Sequence, residues 1–377
     1  MNARDRASAR SATARSGYHQ PPRWLEGDGR TRTLVACANG LLDVARRELI
    51  PHTPSYFNEI AVPFDYEPDA LDPTGWLKFL DDLWPDDPDS VKLLQQWFGY
   101  VLSGDTSQQK MFGLLGPVRS GKGTICRVLK GLVGARNVTA PTLSSFGQNF
   151  GLQDLIGKPV AIIGDVRLGG GEQAAVVERL LSISGEDTIT LDRKYRDPWT
   201  GQLPTRIMFV SNELPRFGDA SGAIATRVLL LETTESWLGK EDIGLTARLL
   251  PELPGILNWA LDGLDALTAV GQFTEPQSSV DARTALADLV SPVSAFVREC
   301  CVRGPHEEVV IDELFRAWKD WAELNGHKPG STQMFGRNIR AVIPGLRRYQ
   351  PPSVEGAKRP PRRYRGICLT RPTDAPG

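Results

Sequence analysis

The chain has 377 residues, 41% of them apolar and 8% aromatic, which fits a globular protein of about two or three domains. With 44 basic and 45 acidic side chains the net charge is -1, so the strongly basic class of nucleic-acid binders is excluded and any such role must rest on local patches. No apolar run approaches the ~20 residues of a membrane helix, the N-terminus lacks a signal peptide's apolar core, and Cys37, Cys126, Cys300, Cys301 and Cys368 show no C-x-x-C spacing, which points to a reducing cytoplasm and to packing roles.

Residues 1–31 are rich in Arg, Ser, Ala and Gly without apolar periodicity and are expected to be a disordered leader. In 32–104, Thr33–Ala38 and Leu41–Val44 flank Asn39-Gly40, a hairpin signal. Trp76, Leu77, Phe79 and Leu80, then Val91, Leu94, Trp97, Phe98 and Val101, recur at helical spacing and predict a helical collar ending at Ser103-Gly104-Asp105. Over 105–270 strands and helices alternate, so the expectation is an α/β domain with a largely parallel sheet. Its strands are Met111–Leu115, Pro159–Gly164, Arg206–Val210 and Val228–Leu231, and helices are expected over Asp242–Leu250 and Pro251–Leu267. Residues 271–280 carry Gly, Pro and Ser without periodicity and are expected to be a linker. In 281–377, helices over Asp281–Cys301, Asp312–Asn325 and Thr332–Val342, then strands Leu346–Tyr349 and Tyr364–Leu369, predict a winged helix-turn-helix.

The strongest chemical signal is MFGLLGPVRSGKGT, Met111–Thr124, a strand entering a phosphate-binding loop. Gly116, Gly121 and Lys122 satisfy G-x-x-x-x-G-K, in which backbone N–H groups cradle phosphate oxygens and the lysine adds a point charge. The cradle comprises Gly116, Pro117, Val118, Arg119, Ser120, Gly121, Lys122, Gly123 and Thr124, and the following helix aims its N-terminus at the same phosphates. The hydroxyl that usually follows the lysine is missing at Gly123 and comes one place later. Either Thr124 reaches Mg²⁺, or the metal is held through water and an acid elsewhere.

In open α/β sheets ligands sit beyond the carboxyl ends of the strands, so Asp165 and Asn212 are expected in the same crevice. Asp165 is the candidate acid for Mg²⁺ or water, Asn212 orients the attacking water, and Arg227 is the candidate arginine finger, with a structural salt bridge as its competitor. Thr188 to Arg196 suits a hairpin that presents Arg193, Lys194 and Tyr195 to a nucleic-acid backbone. Between Gly336 and Arg365 nine basic residues face one acid, Glu355. Arg337, Arg340, Arg347 and Arg348 are the candidate duplex contacts there, against the plainer reading of a solvated basic tail.

The order GPVRSGKGT, AIIGD, LLSISGEDTITLDRKY, FVSNELP, ATRVLLLE resembles the superfamily 3 helicases, AAA+-related ring motors. More narrowly it resembles the helicase half of the phage and plasmid primase-helicase family, which includes the poxvirus primase-helicase; ANGLLD, PFDYEPDA and GYVLSGDTSQQKMF fit that family's region before the motor. The resemblance covers roughly 33–267. It implies Lys122 as phosphate lysine, Asp165 as Walker B acid, Asn212 as sensor, Arg227 as a finger acting on a neighbour's ATP, and Lys194 as a DNA-contacting hairpin residue. Two departures stand out: Asp165 is followed by Val166 rather than a second acid, leaving Glu172 as a weak candidate base, and some 30 leading residues cannot hold a primase.

The resulting expectation is an ATP- and Mg²⁺-dependent DNA helicase for a phage or other mobile element, ring-forming, hexameric, moving 3′ to 5′, with a separate primase or initiator as a further partner. Two other classes stay open. A DNA-binding initiator that uses ATP only for assembly would not displace strands; a nucleoside monophosphate kinase would share G-x-x-x-x-G-K-G-T but leave Asn212, Arg227 and the basic tail without roles.

Overall fold

The computed structural model describes residues 23–25, 34–58, 61–164, 166, 173–215, 217, 222–352 and 360–370. By packing, the chain divides into two compact units, Met1–Pro215 with Arg227–Ala282, and Arg216–Thr226 with Arg283–Gly377.

The first unit opens with an antiparallel sheet of β1 (Leu34–Cys37), β2 (Gly40–Asp43) and β3 (Glu48–Ile50), in that order. The first two strands are the expected hairpin; the third was not foreseen. Ahead of them Arg23–Trp24 pairs antiparallel with Tyr56–Phe57, and the Trp24 ring lies 5.2 Å from that of Tyr56. Paired structure therefore begins inside the stretch expected to be a leader, because Trp24 finds an apolar partner; most of that stretch lies outside the described residues.

Helix α1 (Thr74–Leu83) follows Pro73, and its first free N–H groups, on Gly75 and Trp76, donate to the Glu252 carboxylate at 3.1 and 2.9 Å. A carboxylate there satisfies orphan donors and complements the helix dipole. Helix α2 (Pro88–Ser103) starts on Asp87, whose side chain accepts from Ser90 N, and stops at Gly104 in the left-handed conformation. Trp76, Phe98 and Trp259 pack ring on ring, and Trp97 stacks on Phe112 at 5.0 Å. The collar aromatics are core, as their spacing implied, and Phe112 ties them to the strand that carries the glycine-rich loop.

That strand, β4 (Met111–Leu115), leads into α3 (Lys122–Val133). Next come β5 (Val138–Thr139), β6 (Val160–Ile163), α4 (Gln173–Ser184) and the hairpin β7 (Ile189–Arg193) and β8 (Arg196–Gly201). The sheet is completed by β9 (Arg206–Ser211) and β10 (Val228–Glu232). It has five parallel strands in the order β10-β4-β9-β6-β5. Helices on its faces explain why these strands read as apolar runs rather than alternations. At the entry to β9 the buried Arg206 donates to Asp105 O at 2.7 Å and Pro204 O at 2.8 Å, and burial lowers its pKa to about 10.

Helices α5 (Leu245–Leu249) and α6 (Leu253–Val270) follow the sheet. Crossing α2, α6 comes so close that a Cβ on Gly99 would sit 2.3 Å from Ala260 O and one on Gly263 2.4 Å from Gln95 O. Gly99→Ala is therefore expected to destabilise the chain by about 3 kcal/mol, the upper end of overpacking costs, read as a shift in urea midpoint. The expected linker is instead pinned at Phe273, which is buried against Trp97 and Tyr100, and at Thr274, whose N–H donates to Gln96.

The single helix expected over Asp281–Cys301 is two, α7 (Gln277–Val290) and α8 (Pro292–Cys300). Pro292 lacks an N–H and pushes Ser291 out of the helical region, to φ -133 and ψ 81. In the second unit α8 is followed by β11 (Cys301–Val310), α9 (Ile311–Leu324), α10 (Thr332–Val342), β12 (Arg347–Tyr349) and β13 (Arg363–Leu369), with an antiparallel sheet ordered β11-β13-β12. Strand β11 was not expected. Phe296, Trp318 and Phe335 form the middle of this unit's core. No helix among the described residues is long and apolar enough to cross a membrane.

Candidate functional site

The loop Gly116–Gly121 leaves the carboxyl end of β4, a strand flanked by β10 and β9, and its backbone turns through left-handed or positive φ at Gly116 (143°), Arg119 (61°) and Gly121 (85°). Glycine is needed at Gly116 for a second reason: a Cβ there would lie 2.2 Å from Thr233 Oγ1 and 2.3 Å from Thr233 O. Thr233, the residue after β10, holds the loop. Its N–H donates to Leu115 O at 2.9 Å, and its hydroxyl lies 2.7 Å from Ser120 Oγ and 3.1 Å from Leu115 O. Farther along, Ser236 Oγ donates to Val118 O at 2.7 Å, Trp237 N to Arg119 O at 3.0 Å, and Glu241 stands 3.4 Å from Arg119 Nε. A strap of residues 233–241 thus fixes the outer side of the loop. Short hydroxyl side chains after a strand have no periodic signature, and the sequence reading missed them.

Lys122 is buried at the first position of α3, and its ammonium donates to Gly116 O (2.7 Å), Pro117 O (2.6 Å) and Ser120 Oγ (3.0 Å). Burial holds its pKa below the usual lysine range. These carbonyls are the lysine's partners in the closed loop; a phosphate would compete for the same ammonium. The glycines, the loop N–H groups, the helix N-terminus and Lys122 together make a set of donors that fits a polyphosphate.

Ser211 is the Cα partner of Leu115, so Asn212 emerges at the sheet edge beside Gly116. Strand β6 ends at Ile163, partner of Phe209, and the chain leaves it at the same edge. Asp165 and Glu172 lie outside the described residues. Arg227 is placed elsewhere. It precedes Val228, the partner of Met111, and its carbonyl accepts from Met111 N at 2.7 Å, so it lies at the opposite end of β4. Roughly 17 Å of strand separates it from its own chain's loop. Its guanidinium donates to Gln109 Oε1 at 2.6 Å and to Ser184 O at 3.4 Å.

For a divalent metal, the described residues offer little. Gly123 has no side chain, and the Thr124 hydroxyl accepts a hydrogen bond from Arg127 Nη2 at 3.0 Å. Among the described residues no group of three or more His, Cys, Asp or Glu side chains could hold a metal ion. The described residues do not form a metal site of their own. Burial pushes the Cys37, Cys126 and Cys301 thiols up to about 12, so they are packing groups rather than nucleophiles.

Two basic surfaces were expected. In the hairpin Arg193 pairs with Arg196, leaving Lys194 and Tyr195 as the two-residue tip. Tyr195 is 93% exposed with the Lys194 ammonium 5.2 Å from its ring centre, while Arg193 Nε donates to Asp197 O. In the second unit Arg337 and Arg340 are exposed on α10, and Arg347 and Arg348 on β12. The patch is less basic than its count. Arg365 and Arg363 stand 2.8 and 3.8 Å from Glu308, which also accepts from the Tyr349 hydroxyl, and Lys358 and Arg359 lie outside the described residues.

Comparisons with known proteins match two stretches of the chain. Residues 21–85 match a family described as D5 N terminal like, and residues 114–227 match a family of unknown function, DUF5906. Among solved structures, the A form apo structure of the NrS-1 C terminal region is similar at 14% identity and a TM-score of 0.51, covering 86% of this chain and 71% of that one. A further apo structure of that region aligns at 15% identity and a TM-score of 0.48, and this chain spans 64% of its length. The first match reaches back to residue 21, in accord with the pairing of Trp24 beside Tyr56. The chain is thus D5-like in its N-terminal region and similar in fold to the NrS-1 C terminal region.

Proposed function

We propose that the chain is an ATP-dependent DNA helicase of the superfamily 3 kind, a phage or mobile-element replication protein in the host cytoplasm. It works as a ring, most simply a hexamer, moving 3′ to 5′ on one strand. The observation that carries this reading is the strand order β10-β4-β9-β6-β5, with the glycine-lysine loop on the internal strand β4 and Asn212 emerging beside it at the end of the central strand β9. That placement gives one crevice for a nucleotide's phosphates and for a residue that senses them.

ATP is held by Gly116–Thr124, with Lys122 leaving the loop carbonyls for the β- and γ-phosphates. Mg²⁺ would supply charge neutralisation, with Thr124 and Asp165 as the residues that would hold it. Asn212 orients the attacking water. Arg227, at the far end of β4 from its own loop, acts on the nucleotide of a neighbouring subunit, which is the reason for proposing a ring. The Lys194-Tyr195 tip grips the strand in the channel by charge and stacking. The helices and antiparallel sheet of the second unit act as a winged helix, with Arg337, Arg340, Arg347 and Arg348 on a duplex at loading, where a separate primase or initiator would also act. The D5 N terminal like match supports the phage assignment.

Lys194→Ala tests the hairpin role. It removes an exposed charge and no core contact, so ATP hydrolysis without DNA is expected within about twofold of wild type, whereas strand displacement falls about tenfold or more, the value of a charge-assisted contact. Unchanged displacement would remove the hairpin from the mechanism. Particle mass with and without ATP tests the ring: a monomer under every condition would remove it and the trans role of Arg227 together.

A further inference from the structure

The second turn of α3 carries a cation that the sequence motif does not contain. Arg127 is five residues past Lys122, about 7.5 Å along the helix axis, and its side chain leans back toward the N-terminus, as long helical side chains do. Its Nη2 donates to Thr124 Oγ1 at 3.0 Å and its Nε to Thr246 Oγ1 at 3.0 Å, so α5 holds the guanidinium over the turn. Its Nη1 lies 3.1 Å from where a Gly123 Cβ would be. A planar cation therefore covers the side of the turn from which the usual metal-binding hydroxyl would project, and it engages the Thr124 hydroxyl.

We propose that Arg127 is a nucleotide-contacting residue, a cation supplied by the same chain that binds the phosphate group nearest Thr124 and takes over part of the charge neutralisation usually left to a divalent ion. This rests on the nucleotide reading above. A guanidinium has more N–H groups than its two threonine bonds use, and its fork matches two phosphate oxygens. Gly123 leaves room for this arrangement, since a Cβ there would press on Nη1 at 3.1 Å. The consequence is a site that keeps much of its affinity for nucleotide without divalent metal.

The test is binding of a fluorescent ATP analogue to the full chain, in Mg²⁺ and again in EDTA, for wild type, Arg127→Ala, Arg127→Lys and Gly123→Ala. Wild type is expected to lose less than about tenfold in affinity on metal removal. Arg127→Ala should lose about tenfold or more in EDTA and much less in Mg²⁺, with Arg127→Lys intermediate. Gly123→Ala, whose Cβ would press Nη1 aside by a few tenths of an ångström while favouring the helix, should shift in the same direction as Arg127→Ala but by less. If wild type binds and Arg127→Ala matches it within about twofold in both conditions, the proposal is overturned and the nucleotide reading stands. If wild type binds no nucleotide in either condition, the reading itself fails, and the proposal with it.

Discussion

Replacing Lys122 with alanine is expected to lower ATP hydrolysis by about 10²- to 10³-fold, the scale of removing one preorganised charge from a transferring phosphoryl group. The argument rests on where the ammonium sits. It is buried at the mouth of the loop with three oxygen partners, Gly116 O, Pro117 O and Ser120 Oγ, none of them a carboxylate. Nothing in the closed loop neutralises its charge, so an anionic phosphate is a better partner than the carbonyls it now holds. The same geometry makes the variant tolerable to the fold. The carbonyls it leaves can take water at the loop surface, and about 1 kcal/mol of lost hydrogen bonding is offset by removing a buried charge. A melting temperature close to wild type, with activity lost, is the expected pair of readings. Activity above a tenth of wild type would take Lys122 out of the site.

Gly116→Ala is expected to be the more damaging change, removing nucleotide binding and costing about 3 kcal/mol or more in stability. Two effects act together. The backbone has φ 143°, where an L side chain is strained, and the new Cβ would meet both Oγ1 and the carbonyl oxygen of Thr233. Thr233→Ala in the same chain removes only the hydroxyl; the carbonyl clash at 2.3 Å persists, so the second substitution should not restore binding. Recovery in the double variant would show that the strap is not held as described. Unfolding by urea separates the stability cost from the binding loss.

Much of the sheet was legible because its strands are buried on both faces and therefore appear as unbroken apolar runs. Met111–Leu115 and Val228–Glu232 are of this kind. The hairpin was legible because Ile189, Leu191 and their exposed neighbours alternate. Strand β11 was not. Its Gly304-Pro305 interrupts the alternation, and the pairing with β13 shifts register between Arg303 and Glu308 for the same reason, since proline cannot donate to the ladder. Phe273 was taken as linker because one aromatic among Gly, Pro and Ser has no period, yet it fills a gap beside Trp97 and Tyr100.

At the site, the residues that make backbone-dictated shapes were readable, and the residues that support them were not. Gly116, Gly121 and Lys122 announce themselves by spacing. Thr233, Ser236 and Trp237 act across more than a hundred residues of sequence, through hydrogen bonds that any small polar residue could make. Arg127, on the exposed face of an amphipathic helix, looks in sequence like any solvated arginine. Only the position of Thr246 on the facing helix shows that it is held. Arg227 was readable as an arginine before a strand, but its distance from its own loop needed the register of β4 with β10.

The most direct test of the central assignment is strand displacement on a forked DNA duplex by the full chain, with ATP and Mg²⁺, followed by gel separation of the strands. The expected result is ATP-dependent release of the paired strand from a fork with a 3′ single-stranded tail, absent with Lys122→Ala and strongly reduced with Lys194→Ala. Binding to the fork and ATP hydrolysis without any release, at protein concentrations where rings have formed, would contradict the helicase assignment and leave an ATP-assembled DNA-binding protein in its place.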